Sequence, residues 1–350
     1  MRTGTRASSF IRQFAGPGAD SGIVCFRFWQ LVPAGGCPYR CSYCFLQTVP
    51  WFRFRSDYLH GLVYTNVDDM VAELEQWLAD ATPKMLLVGE LQDGLVFDSA
   101  YAKVTGKPLT HWIIPMFAMQ KRHRLIFLTK SVEIHHALKL QPTPQVVFSW
   151  SVNAEAVAAR WEKGCPPPSE RFAAAAKMKK AGWPIRFRLD PMVPYEGWRQ
   201  GYSEAIDRIN ELEPEMVTLG TLRATSRRSL RNASHRNGRD SSIFDYLGEE
   251  KDASGFKYRL PLDKQLELYR FALDRLSPRI LPALCKEDRK VWEALGMRFR
   301  GCHCLLGPRD ALCAGTQLPQ VRGASPPADA DAPDRPSAPA LPAVHRLRVL

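Results

Sequence analysis

From Ile23 to about Leu276, short apolar runs alternate with longer stretches whose apolar residues recur every three or four positions. The runs Val24–Leu31, Met85–Val88, Leu125–Thr129, Val146–Trp150, Ile185–Leu189 and Val217–Leu219 predict strands. Several are almost wholly apolar, as parallel strands covered on both faces must be. Asn66 is expected to cap a helix with Val67, Met70, Val71, Leu74, Trp77 and Leu78 on one stripe. Ser169 is expected to cap another, ending at Gly182, and Leu266, Tyr269, Leu273 and Leu276 mark a third. Six strands in β–α alternation predict an α/β fold, a partial (β/α)6 barrel of parallel strands with a C-terminal cysteine-containing extension. Functional groups of such a barrel belong at the C-terminal ends of its strands, and an unclosed barrel leaves a side opening for a large substrate. The expected divisions are a flexible extension over 1–21, a barrel core over 22–280 and the cysteine-containing extension over 281–315. A disordered tail follows over 316–350, where seven prolines from Pro319 to Pro342 are mixed with Ala and Asp.

Composition changes this picture in one respect. A hydrophobic content of 45% and a charged content of 24% are ordinary, but a net charge of +12 is not. It suits a polyanionic partner, nucleic acid or an acidic surface, and equally a well-solvated basic enzyme. Nine cysteines without a regular framework argue against a secreted disulfide scaffold. Residues 1–21 carry no sustained apolar stretch of the signal-peptide kind, and no apolar run is long enough to span a membrane. A cytoplasmic location without membrane association is expected.

Candidate chemistry is concentrated in Cys37, Cys41 and Cys44, within the run Gly36-Cys37-Pro38-Tyr39-Arg40-Cys41-Ser42-Tyr43-Cys44-Phe45. Three thiolates at this C-x3-C-x2-C spacing suit three irons of a four-iron cluster and leave the fourth iron open. Tetrahedral zinc wants a fourth nearby ligand, and no His or Cys lies within the next dozen residues. Three buried thiols of no function have no reason to gather in one Gly/Pro-bounded loop.

This spacing and its aromatic follower resemble the radical S-adenosylmethionine (SAM) superfamily. Within it the chain is most similar to the spore photoproduct lyase family, over roughly residues 22–223. The similarity rests on Gly36 through Gln47, on Leu128-Thr129-Lys130-Ser131, on Ser149-Trp150-Ser151-Val152-Asn153 and on Arg171-Phe172-Ala173-Ala174-Ala175. It implies a [4Fe-4S] cluster on Cys37, Cys41 and Cys44, SAM on the open iron, and reductive cleavage to a 5′-deoxyadenosyl radical. It also implies a reductant protein such as flavodoxin or ferredoxin, and a nucleic-acid substrate undergoing repair or base modification. Two positions depart from the family. Where the lyase carries a hydrogen-donating cysteine, the second strand end reads Val88-Gly89-Glu90-Leu91, and Phe45 stands where tyrosine is expected. A carboxylate has no weak S–H bond to give, so a related radical reaction on another substrate is indicated rather than thymine-dimer reversal.

The resemblance implies that Gly89 and Glu90 form the SAM-binding motif, and an unpaired carboxylate after an apolar strand needs a cation, either the SAM ammonium or a basic side chain such as Lys130 or Arg188. Ser149 and Ser151 share one side of their strand and could hydrogen-bond SAM. Arg188 suits a carboxylate through its fork, or pairs with Asp190. Gly220 permits close approach to adenine, and Tyr43 is either an adenine contact or an aromatic shielding the cluster. Cys285, Cys302, Cys304 and Cys313 could hold an auxiliary Fe–S cluster or zinc, or be plain thiols. Cys25 and Cys165 have no partners in sequence and read as packing residues or bystanders, though Cys165 could reach the site from its loop and donate hydrogen in place of the missing thiol. Arg223, Arg227, Arg228, Arg231, Arg236 and Arg239, interspersed with Ser, Thr, Asn and Gly, read as a flexible loop for phosphate contacts, or as a loop held by nearby acids. Two other readings stand beside this one: a radical SAM enzyme acting on a peptide or small molecule with an auxiliary cluster, and a non-enzymatic metal-dependent nucleic-acid binder.

Overall fold

The computed structural model describes residues 2–14, 21–24, 28–48 and 61–297, all within one unit spanning Met1–Leu318. The second unit, Pro319–Leu350, lies outside the described residues, as do Cys25, Cys302, Cys304, Cys313 and the whole expected tail over 316–350.

An eight-stranded sheet organises the chain. In chain order its strands are β1 (Ile11–Gln13), β2 (Trp29–Leu31), β3 (Met85–Val88), β4 (Arg124–Thr129), β5 (Val146–Val152), β6 (Ile185–Met192), β7 (Met216–Thr221) and β8 (Leu281–Leu284). Sequential strands lie side by side from β1 to β8. Every pairing from β2 onward is parallel, and only β1 runs antiparallel to its neighbour β2. The helices are α1 (Val67–Leu78), α2 (Asp98–Thr105), α3 (Leu109–Ala118), α4 (Glu155–Trp161), α5 (Pro168–Lys180), α6 (Trp198–Leu212), α7 (Arg227–Arg236), α8 (Leu262–Arg275) and α9 (Arg289–Ala294).

Several expectations need correction. Among the described residues the main sheet holds seven parallel strands, one more than the six expected. Leu281–Leu284 pairs with β7, so the barrel core continues past residue 280 into the supposed extension. Residues 2–14 are not a flexible extension: Arg2–Gly4 pairs with Leu62–Tyr64, β1 joins the main sheet, and Phe10 and Ile11 are buried. Asn66 does precede α1, but its amide is spent on the backbone of Arg6 instead of capping the helix. Ser169 sits inside α5, whose first residue is Pro168, a place where the missing N–H costs nothing. The supposed arginine loop is largely α7, capped by Ser226, whose side chain accepts from the Ser229 amide.

Alternation along the strands explains where the site forms. One set of residues, such as Phe127, Phe148, Trp150 and Phe187, joins the large core. The alternate set begins with a separate apolar cluster of Met85, Leu87, Ile126 and Val147. Two and four residues further along those strands the same face turns polar, reaching Gly89, Lys130, Ser149 and Ser151. Register sets Ser151 opposite Arg188, and Arg188 opposite Thr218, on neighbouring strands. Because the seven strands are parallel, all these ends lie at one rim.

Candidate active site at the strand C-terminal rim

The three-cysteine loop follows β2 at this rim. Its short strand Arg40–Cys41 pairs with Glu162–Lys163 after α4, and the Ser42 amide donates to the Trp161 carbonyl at 2.8 Å. The loop carbonyls are taken up from behind. Gln47 Nε2 donates to the carbonyls of Cys41, Ser42 and Cys44 at 3.2, 2.9 and 3.2 Å. Ser234 Oγ donates to Ser42 at 2.7 Å, Arg239 Nη1 donates to Cys41 at 3.1 Å, and Asn237 holds the Gln47 oxygen at 3.1 Å. The arginine-rich segment is therefore partly the back wall of the cysteine loop.

Cys41 is buried, and Cys37 and Cys44 are half-buried. Burial raises the Cys37 thiol well above its ordinary range, and Asp93, Cys44 and Cys41 push it the same way. Such a thiol is ionised when a cationic centre binds it, and three thiolates in one buried pocket suit a multivalent cationic group among them, as an iron–sulfur cluster would be. The donor set thus fits the group that the spacing implies. A fourth thiol stands beside them: Cys165 Sγ lies 3.5 Å from Cys41 Sγ, so this loop cysteine does reach the site.

Next to the loop is a buried charge cluster centred on Glu162, which sequence reading missed. Arg171 meets its carboxylate at 2.6 Å, Lys130 approaches to 3.7 Å, and the Tyr43 hydroxyl donates to it. Burial would raise the Glu162 carboxyl, but Lys130 and Arg171 hold it below its usual value. Arg171 also donates to the carbonyls of Pro166 and Ser151, at 2.8 and 3.0 Å. A fully buried arginine within an Ala-rich helical stripe demands such a carboxylate, and that was the available signal. Tyr43 therefore has its phenol engaged with Glu162, its ring 5.9 Å from Lys130 Nζ. Asp93 fixes the start of the β4–β5 connection, accepting from Thr129 Oγ1 and the Lys130 amide, both at 2.6 Å.

Across the rim, Glu90 pairs with Lys286 at 2.7 Å, rather than with Lys130 or Arg188. Burial opposes its ionisation, yet Lys286, Arg188 and Lys257 keep the carboxyl below its usual range. Gly89, at φ +120°, makes the turn into Glu90, and a Cβ there would meet the Leu128 carbonyl oxygen at 2.1 Å. Asp190 accepts from Arg223 at 2.8 Å with Arg188 at 3.8 Å, and a Cβ on Gly220 would stand 2.6 Å from its carboxyl carbon. Gly220 thus makes room for Asp190. Arg223 Nη1 is buried with no hydrogen-bond partner among the described residues, so the rim has a donor in hand for an anionic group. Lys257 adds a further cation, its ammonium lowered to about 8 by burial and by Arg223, Lys286 and Arg259. Ser149 is buried and Ser151 half-buried on the rim face.

The six arginines expected at one nucleic-acid surface are divided. Arg223 and Arg239 face inward, as described. Arg227 donates to Glu249 and to the carbonyls of Leu247 and Gly248, and Arg231 pairs with Asp245. Arg228 and Arg236 are exposed. Of the four C-terminal cysteines only Cys285, just beyond β8 and half-buried, lies among the described residues.

A parallel sheet carrying a three-thiol loop after its first parallel strand, and a charged rim at the remaining strand ends, is the architecture of the radical SAM class. The family model for spore photoproduct lyase matches residues 29–227. The chain belongs to the spore photoproduct lyase family. It is 28% identical over 192 residues to the spore photoproduct lyase of Bacillus subtilis strain 168, covering 53% of this chain and 51% of that protein. It is 29% identical over 185 residues to that of Geobacillus sp. strain Y412MC61, covering 50% and 49%. The chain spans about half the length of the curated relatives it matches. A solved spore photoproduct lyase complexed with dinucleoside spore photoproduct superposes with TM-score 0.62 at 21% identity, over 81% of this chain and 80% of that one. A variant with bound AdoMet and dinucleoside spore photoproduct gives TM-score 0.60 at 21% identity over the same shares, so the fold is common to them.

Proposed function

We propose that this chain is a radical SAM enzyme acting on nucleic acid. The observation that carries the reading is the three-thiol loop at the parallel-strand rim, with its carbonyls held by Gln47, Ser234 and Arg239. Cys37, Cys41 and Cys44 would hold a four-iron cluster, which when bound would supply the electron for reductive cleavage of SAM. The chain's own residues divide the remaining work. Gln47, Ser234 and Arg239 fix the loop, so the thiols keep their spacing. Glu90 would accept from the SAM ammonium in exchange with Lys286, and Arg223, with its spare Nη1, and Arg188 would receive the carboxylate. Ser149 and Ser151 offer hydroxyls to the ribose, and Lys130 stays charged because Glu162 and Cys41 offset its burial.

Nucleic acid is supported by the net charge and by the outer face of α7. There a cavity of about 350 Å³ is lined by Arg227, Arg228, Arg231, Asn232 and Tyr258, with Ser226 and one acid, Glu249, completing it. The relatives superposed above hold a dinucleoside photoproduct, which fits this substrate class. Glu90 stands where a hydrogen-donating cysteine is expected, so the reaction we favour is a radical repair or base modification other than thymine-dimer reversal. The test is 5′-deoxyadenosine formation by anaerobically reconstituted protein with SAM and dithionite. Product that is abolished in C41A and increased by polynucleotide supports the reading. Product unaffected by any polynucleotide and increased by peptides would redirect it to another substrate.

A further inference from the structure

Away from the cysteine loop, the β4–β5 connection gathers Glu133, His135 and His136 so that one ligand atom of each lies within 4.8 Å of the others. The gathering is organised around the start of α2. Ser99 Oγ lies 3.1 Å from His136 Nε2 and 3.5 Å from His135 Nε2, so the two Nε2 atoms converge on one point. Glu133 Oε1 accepts from the Ser99 amide at 2.9 Å, bringing its carboxylate to the same point. The imidazoles lie 3.9 Å apart between centroids, and His111 braces the second from behind through the His136 carbonyl at 3.0 Å.

Neutral imidazole is the ligating form of histidine. Two imidazole nitrogens and one carboxylate are the donor set that zinc takes in open sites, with a fourth position left for water or an anionic group. Hard oxygen-seeking cations are disfavoured by the two nitrogens.

We propose that Glu133, His135 and His136 form a zinc site that ties the β4–β5 connection to the start of α2. The tie has a structural consequence. That connection begins at Lys130 and Ser131, and the Ser131 hydroxyl accepts from the Glu133 amide at 3.1 Å. A bound ion therefore steadies the segment that carries Lys130 at the rim.

The test uses full-length protein, loaded with its cluster under anaerobic conditions so that Cys37, Cys41 and Cys44 are occupied. Co2+ is titrated as a spectroscopic probe and then displaced by Zn2+. One Co2+ should bind with nitrogen and oxygen ligands and no thiolate charge-transfer band, and one Zn2+ should displace it. H135A and E133Q should each weaken binding at least about ten-fold. His135 is exposed, so its truncation should leave iron content and thermal unfolding unchanged, and H135A thus remains readable if H136A fails to fold. Equal affinity in the wild type and H135A, a thiolate band that survives in both variants, or no Co2+ bound at all would overturn the site.

Discussion

The rim of the sheet and helix α7 are both rich in basic residues, yet they treat charge in opposite ways. At the rim three acids each meet a cation: Glu162 with Arg171 and Lys130, Glu90 with Lys286, Asp190 with Arg223. In the segment around α7, Arg239 is committed inward to the cysteine loop, while Arg228 and Arg236 are exposed. One residue type therefore serves as scaffold at one position and is free for a partner three to eleven positions away. Burial and hydrogen bonding separate the two uses, and residue counts do not.

Breaking the rim should cost most. Glu162→Ala strands Arg171 and Lys130 without their carboxylate, and losing one partner of a buried pair typically costs about 3–5 kcal/mol. Chemical denaturation should show that loss, and Arg171→Ala should show a similar one. Removing the inward member of the α7 segment should cost less. Arg239→Ala deletes a charge-assisted bond to the Cys41 carbonyl, worth about 1.5–3 kcal/mol. It should speed loss of the cluster absorbance under a chelator, more so than Arg236→Ala does.

Lys257 sharpens the contrast through pH. Its ammonium titrates near 8 in the fold and near its ordinary 10.5 when unfolded. Below about 8 the charged group is held in unfavourable surroundings, so its destabilising effect is fully present there. Stability should therefore rise as pH goes from about 8 to 10.5, and Lys257→Met should flatten that rise. Retention of an anion at the rim should weaken as pH rises through about 8, where Lys257 loses its charge in the fold. The smallest effect on the fold is expected from Arg228→Ala with Arg236→Ala. Stability should stay within about 0.5 kcal/mol, while the salt dependence of polynucleotide binding should lose roughly one unit of slope per phosphate contact removed.

The sheet was legible because buried parallel strands are written as apolar runs, as at Met85–Val88 and Val146–Val152. β8 escaped because Pro282 interrupts a four-residue run, and β1 because Ile11-Arg12-Gln13 is short and mostly polar. α7 has the sequence of a loop because only Leu230 and Ala233 supply apolar positions, and its Ser226 cap stands among other Ser and Thr residues. The cysteine loop announced itself by spacing alone. Cys165, 124 residues from Cys41, and Lys286, 196 residues from Glu90, reach their partners only through the fold. No local pattern could have paired them.

The central claim is that Cys37, Cys41 and Cys44 leave one iron open for SAM. It is tested most directly by electron paramagnetic resonance of the reduced, cluster-loaded protein with and without SAM. The account predicts the signal of a four-iron cluster that shifts when SAM is added and is absent in C41A. A signal unchanged by saturating SAM, or one that persists in C41A, would contradict it.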